Sequence, residues 1–408
     1  MSEAARTWRT PMIILIFGTI IMMVSFGTRS GFGLFLQPIS SDLGWGREVF
    51  AFSVAIQNLF WGLSQPIAGG IADKYGSGRV IAGCTVILAL GLYLMSHAST
   101  PGEMTLTAGI LIGTGLSGTS FGVILAVIGR SVTEERRSLF LGIGAAGGAA
   151  GQLLLVPLGQ SFLADYGWTT TVVLFAILVA LTLPLAAALT GTRGNQGPAP
   201  MPVKEQSLSE ALREARADRG YMLLTIGFFV CGFQLAFIVT HLPAFIVDHG
   251  AEASLAATAL AVIGGANIVG SFLAGVLGSR FAKKNILTWI YLARGAVIAV
   301  FILMPISDTS ILIFAGAMGI LWLSTVPLTS ALVAHIFGVR YMATLFGIVF
   351  LSHQIGGFSG AWLGGVVYDA TGSYDMVWWF SVALSVLSAL FHFPIAERPV
   401  ARLVAAAD

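Results

Sequence analysis

Apolar residues in this chain fall in long blocks, separated by short polar stretches rich in Gly, Pro and charge. A helix needs about 20 apolar residues to cross the hydrocarbon core of a bilayer. Twelve such runs are read, at about 11–37, 48–71, 79–98, 104–131, 137–161, 168–190, 221–246, 253–279, 285–306, 309–333, 342–367 and 375–396. The first run is long and eleven more follow it, so it is expected to be a span and not a cleaved signal peptide. The pattern predicts an all-α membrane protein with 12 transmembrane helices.

Composition agrees with the blocks. Of the 408 residues, 56% are hydrophobic and 10% are charged, against about a quarter charged in an average soluble domain. This excludes a soluble enzyme, a nucleic-acid binder and a disordered chain. The placement of charge is more informative than its amount. With both termini cytoplasmic, nearly all of the 21 Lys and Arg residues fall in inside loops and tails, and only Arg47 in an outside loop. That is the positive-inside pattern, and it predicts a multi-pass protein of the plasma (inner) membrane. Two basic residues, Arg29 and Arg294, fall within spans, while no Asp or Glu lies deep in any span. Cys84 and Cys231 sit in apolar runs and read as packing residues, not as a disulfide or a metal site. There is no Walker loop, no His/Cys cluster and no nucleophile triad outside the bilayer. The expectation is therefore a non-enzyme with no cofactor and no metal, whose transport is driven by an ion or by exchange.

The halves repeat at an offset of about 205 residues. Gly27 and Pro38 match Gly232 and Pro243, Asp42-Leu43-Gly44 matches Asp248-His249-Gly250, Gly69 matches Gly275, Leu139-Phe140 matches Leu345-Phe346, and Gly167 matches Gly372. The predicted organisation is a six-helix bundle over 1–190, a cytoplasmic linker over 191–220 and a second six-helix bundle over 221–408. Within the linker, "SLSEALREARAD" reads first as solvated chain and second as a short amphipathic surface helix.

The stretch "GGIADKYGSGR", Gly69 to Arg79, resembles the signature between helices 2 and 3 of the major facilitator superfamily. Gly69, Asp73, Lys74, Gly76 and Arg79 fit it, and Gly78 stands where a base is usual. A worn copy, "GVLGSRFAKK", keeps Gly275, Arg280, Lys283 and Lys284, with Ser279 in place of the acid. The resemblance implies two bundles related by a parallel pseudo-two-fold axis and a substrate site near the midplane between them. Gly69 is expected to allow close helix approach, and the charged cluster to latch one access state. Helix 1, "SFGTRSGFGLFLQPISSDLGWGR", is similar to helix 1 of the monocarboxylate porter family and the related oxalate/formate group. Those porters carry a lysine at the position of Arg29, which implies a cation role for Arg29. They also carry an arginine on helix 8, whose place here is taken by Ser271.

Candidate site residues follow from depth. Arg29 lies nine residues before Pro38, about 13 Å below the helix end, and a guanidinium there would grip a carboxylate through paired hydrogen bonds. Gln234 is its repeat mate on helix 7 and is expected to face it. Gln57 and Asn58 sit at the same depth on helix 2, with side chains about 100° apart, so at most one of them is expected to face the path. His353 on helix 11 is a candidate for substrate binding or proton coupling. Ser117 on helix 4, and Trp322 and Ser324 on helix 10, complete the proposed lining. Arg294 is expected to brace the second bundle, through carbonyls or through Asn267, and Tyr291 one turn before it shares that role. His241 is placed near the outer end of helix 7 as a cap or gate. The predicted partners are a small anionic substrate, a proton or counter-anion, and lipid, with no nucleic acid, and the chain is expected to be a monomer. Export of drugs or lipophilic compounds and sugar symport are the alternatives. Both typically use acids within the spans, which are missing here.

Overall fold

The computed structural model describes residues 9–132, 134–190, 207–338 and 342–404. Its elements are helical, with no strand among the described residues. The first passage is α1 (Pro11–Ser30), a 3-10 turn (Phe32–Phe35) and α2 (Leu36–Leu43), interrupted just after Arg29. Next come α3 (Arg47–Tyr75) and α4 (Ser77–Met95). The fourth passage joins α5 (Pro101–Met104), a π segment (Thr105–Leu111), α6 (Ile112–Thr119) and α7 (Phe121–Arg130). α8 (Glu134–Leu181) carries two passages, bent at Gly167, and leads into a 3-10 turn (Leu183–Leu189). The short α9 (Leu208–Ala217) precedes α10 (Arg219–Asp248), α11 (Ala253–Arg280) and α12 (Lys283–Leu303). α13 (Asp308–Leu321) and α14 (Thr325–Phe337) form one broken passage, followed by α15 (Met342–Thr371), α16 (Asp375–His392) and α17 (Ala401–Val404). Nine segments of the described residues have the length and hydropathy to cross a bilayer. One of these, Ala146–Leu189, is 44 residues long and holds two passages; α3 and α15, of 29 and 30 residues, complete the twelve.

The repeat is written in the backbone as well as in the sequence. Gly44 and Gly250 have φ of 67° and 82°, and Gly167 and Gly372 have φ of 74° and 72°. Each pair closes a helix at matched places, where a side chain would be strained in the left-handed region. Starts are set by side-chain caps, such as Thr10 before α1 and the reciprocal Thr100/Glu103 pair at α5. Between neighbouring helices, glycine brings backbones together. A side chain at Gly27 would strike the backbone of Gly151, and one at Gly232 would strike the carbonyl of His353. This ties α1 to α8 and α10 to α15.

The halves meet along α3 with α15, along α8 with α11, and where the turn after α1 lies on α10. A side chain at Gly62 would meet Gln354, and one at Gly33 the Val239 carbonyl. Gln152 Nε2 donates to the Leu260 carbonyl at 2.9 Å. These contacts lie toward the end of the bundle that carries Arg47. At the opposite end, around Arg79, side chains placed at Gly69, Gly70, Gly275 or Gly347 would meet nothing within 4 Å. Ile67 and Phe272 there are 64% and 71% exposed.

Two expectations need correction at that end. Gly69 does not mediate close helix approach in this conformation, because the halves part where it lies. The segment read first as solvated chain is also helical from Leu208: Ser207 and Glu210 form a reciprocal cap, and Ala211 and Ala215 are buried against the second half. Residues 191–206 of the linker lie outside the described residues, as do the side chains of Asp73 and Lys74. Gly76 caps α3 at φ 100°, and Arg79 is exposed. Gly78 packs so tightly on Thr190 that the base usual at its position would not fit.

Candidate functional site

Arg29 closes the last turn of α1, where the helix tightens into the 3-10 turn. It is partly exposed, and one Nη donates to Asn58 Oδ1. Its Cζ lies 5.0 Å from the ring centroid of Trp61, one turn further along α3, so the guanidinium rests on an aromatic face. Arg29 Nε has no hydrogen-bond partner among the described residues. The cation is thus held by an amide and an indole, with hydrogen-bonding capacity to spare.

The other half reaches the same cluster through α15. Gln354 Nε2 donates to the Asn58 carbonyl at 3.2 Å, and His353 Nδ1 pairs with Gln354 Oε1 at 3.0 Å. Phe350 stacks on His353 (5.4 Å, 7°) and meets Trp61 edge-on at 5.7 Å. A continuous set of contacts therefore runs Arg29, Asn58, Gln354, His353 across the two halves. The structure brings Arg29, Asn58 and His353 together. Gln354 and Trp61 join them although neither was among the predicted lining residues. Trp61 was legible in principle, since it lies three residues after Asn58 and so on the same helix face.

The remaining predicted lining residues point elsewhere. Gln234 does not face Arg29: its Nε2 donates to Ser385 Oγ at 2.6 Å and to the Ser381 carbonyl at 3.1 Å, on α16. Equal depth along two helices fixes height but not direction around the axis. Gln57 is fully buried and donates to the Ala108 carbonyl at 2.8 Å, toward the π segment. Ser117 bonds its own helix at the Thr114 carbonyl (2.7 Å), and Ser324 bonds the Ile320 carbonyl (2.6 Å). Trp322 is buried in the core of the second half. His241 lies inside that half as well, with Nε2 2.7 Å from the Ala361 carbonyl on α15; this is a brace between helices and not an end cap.

Arg294 is 0% exposed, and the break between α13 and α14 explains its partners. Its Nε donates to the Leu321 carbonyl at 3.1 Å, and its Nη2 to that carbonyl at 2.6 Å and to the Trp322 carbonyl. Asn267 does not touch Arg294 but serves the same break, its Oδ1 accepting from the Leu323 N–H at 3.0 Å. Tyr291 lies over the guanidinium, 5.4 Å from centroid to Cζ. The matching break in the first half, at Ser120, is held differently: Trp61 Nε1 donates to Ser120 Oγ at 2.9 Å.

A third polar cluster closes the Arg47 end. Arg47 grips Asp248 of the other half in bidentate fashion, at 2.6 and 2.7 Å, and donates to the Tyr374 hydroxyl at 3.0 Å. Its Cζ lies 3.9 Å from the Tyr368 ring centroid. Asp369, also from the other half, accepts from the backbone N–H of Arg47 at 3.2 Å and of Glu48 at 2.8 Å, so it caps α3 at the favourable end of the helix dipole. Burial pulls the Arg47 guanidinium down, and its bonds to Asp248 and Tyr374 more than reverse that, leaving it above the ordinary arginine value. Burial likewise pushes the Tyr374 phenol up. This lock is not legible in the sequence, because Arg47 and Asp248 are 201 residues apart and each reads alone as a loop charge.

A duplicated twelve-passage bundle, with polar side chains from both halves meeting between them, defines a multi-pass membrane transporter. The chain matches the Major Facilitator Superfamily over residues 18–361 and belongs to that family. It is 24% identical to the uncharacterized MFS-type transporter YcxA of Bacillus subtilis, over 97% of each chain. It is also 24% identical to monocarboxylate transporter 13 of Bos taurus, over 92% of this chain and 88% of the relative. Its fold resembles the crystal structure of a bacterial homolog of the human lysosomal transporter Spinster, with a TM-score of 0.75 and 17% identity, covering 95% of this chain and 97% of that one. The chain is thus a secondary transporter of this superfamily.

Proposed function

We propose that this transporter carries a small organic anion, most simply a monocarboxylate, by alternating access coupled to proton symport or anion exchange. The observation that carries this reading is the state of Arg29. It is the accessible one of the two arginines within the spans, and no carboxylate pairs with it among the described residues. A charge at bilayer depth costs several kcal/mol unless it is paired, solvated or facing a cavity, and arginine does not escape by deprotonating. An anionic substrate supplies the missing partner, with Asn58, Gln354 and His353 as neutral hydrogen-bonding groups around it. The similarity to a monocarboxylate transporter supports the same class. With both termini cytoplasmic, the locked Arg47 end faces outward and the parted Arg79 end faces the cytoplasm, which makes this conformation inward-facing.

Purified protein in liposomes tests the reading with radiolabelled pyruvate. Uptake above that of empty liposomes, inhibited by other monocarboxylates and lost in Arg29→Ala, is the expected result. Transport of a lipophilic cation or a sugar, unaffected by Arg29→Ala, would overturn it.

A further inference from the structure

The aromatic residues around Arg29 exceed what its guanidinium needs. Four of them form an arc drawn from both halves. Phe121, at the start of α7, meets Phe26 of α1 edge-on at 5.3 Å. Phe26 lies 6.5 Å from Trp61 of α3, and Trp61 meets Phe350 of α15 edge-on at 5.7 Å. Phe346, about one turn earlier on α15, extends the arc from Phe350 at 6.3 Å.

Chain direction places the arc relative to the cation. α1 and α15 run toward the Arg47 end of the bundle, and α3 runs away from it. Phe26 lies three residues before Arg29, Trp61 three after Asn58, and Phe350 three before His353. Each step is about 4.5 Å along a helix, and all three lead toward the parted Arg79 end. The guanidinium therefore sits at the inner end of the cluster, and the rings lie between it and the opening. The middle of the arc, Phe26 and Trp61, is buried, whereas Phe121 at one end and Phe350 and Phe346 at the other stay partly exposed. Rings that served packing alone would be enclosed at the ends as well. Trp61 adds ring surface but no free donor, since its Nε1 is spent on Ser120 Oγ at 2.9 Å.

We propose that this arc is a second subsite, which takes an aromatic ring carried by the substrate, so that the preferred anion is an aryl-substituted monocarboxylate. The inference rests on the anion-transport reading above, with Arg29 holding the carboxylate. The neutral hydrogen-bonding groups, Asn58, Gln354 and His353, gather at the level of Arg29, where the head of the anion lies. The tail of the same anion extends toward the opening and meets ring faces and edges. An aryl tail gains there from burial of its apolar surface, and from edge-on or offset ring contacts that exceed what area alone provides. A short keto acid occupies the first subsite only. Because Phe350 comes from one half and Phe121, Phe26 and Trp61 from the other, a ring between them touches both bundles. Tail recognition is thereby tied to the approach of the two halves.

The test compares three acids that share one 2-oxo acid head and differ in the tail: pyruvate, 4-methyl-2-oxopentanoate and phenylpyruvate. Affinities for the full chain in detergent are read from the ligand-induced rise in melting temperature. Phenylpyruvate should bind about tenfold tighter than pyruvate, and about threefold or more tighter than the branched aliphatic acid, which isolates the ring from mere apolarity. Phe350→Leu should lower the ratio of phenylpyruvate to pyruvate affinity by about threefold or more. Because Phe350 also stacks on His353, Phe121→Leu is the second variant; it sits in the other half and should lower the ratio in the same way. Equal affinities for the aryl and the aliphatic acid, both lost in Arg29→Ala, would overturn the aromatic subsite and leave the anion reading standing. Phenylpyruvate binding that survives Arg29→Ala but weakens in Phe121→Leu would keep the subsite and remove the anion reading. No rise with any of the three acids would overturn both.

Discussion

Two guanidinium groups share one membrane protein here, and they are treated in opposite ways. Arg294 is tied to carbonyls and shut from solvent; Arg29 keeps partial exposure, one amide and an indole. The first arrangement spends hydrogen bonds on the fold, and the second reserves them for a ligand. Arg29→Ala is therefore expected to remove carboxylate uptake while leaving thermal unfolding in detergent nearly unchanged. Arg29→Lys should also fail to restore full activity, since an ammonium lacks the planar fork that matches a carboxylate. Trp61→Leu should weaken uptake about tenfold, in line with about 1–2 kcal/mol for a partly desolvated cation–π contact, and saturation curves would measure it. At this scale the sequence was readable wherever a charge interrupted an apolar block, because such a charge needs a reason. It was less readable for neutral polar residues. Gln234 and Gln57 were placed at the right height, but height does not say which way a side chain turns, and both turn into their own half.

Matched interruptions govern the elements. The passage of α6 and α7 breaks at Ser120, and that of α13 and α14 breaks at Trp322, near its place in the repeat. Breaks in a bilayer expose backbone groups that water cannot reach, and each costs about 1–3 kcal/mol if left unsatisfied. At the second break a guanidinium from α12 and an amide from α11 take up backbone groups, whereas at the first an indole from α3 reaches the Ser120 hydroxyl. Arg294→Gln should consequently lower stability by several kcal/mol, read as a clear fall in the detergent melting temperature. Equal melting of variant and wild type would show that the carbonyls find other partners. The twelve apolar blocks were legible from hydropathy alone. The breaks were not, because nothing in the local sequence around Ser120 forces one; they depend on donors arriving from other helices.

On the scale of the whole molecule, the lock at the Arg47 end holds the halves together on one side only. Bidentate Arg47–Asp248, the Asp369 cap and the Trp362–Glu48 bond (3.3 Å) all cross between halves. Removing one partner of a partly buried pair leaves the other uncompensated. Asp248→Asn should thus shift the population toward a state open at the Arg47 end, by a factor of roughly ten or more if about 1.4 kcal/mol is lost. Distances between spin labels on α2 and α11 would report it, and an unchanged distribution would show that the remaining contacts suffice. The duplication and the superfamily signature were both visible in the sequence. The lock was not, since the repeat matches Asp248 with Asp42 and says nothing of a pairing with Arg47.

Gly69 and its repeat mate Gly275 face open space, though nothing in this conformation requires them to be glycine. Their small size reads as a commitment to a shape the molecule is not wearing. A valine at Gly69 should leave the melting temperature of this state untouched, and it should stall turnover when the parted ends try to meet. Tolerance to mutation at this end of the bundle would then be judged wrongly by any assay that asks only whether the protein folds.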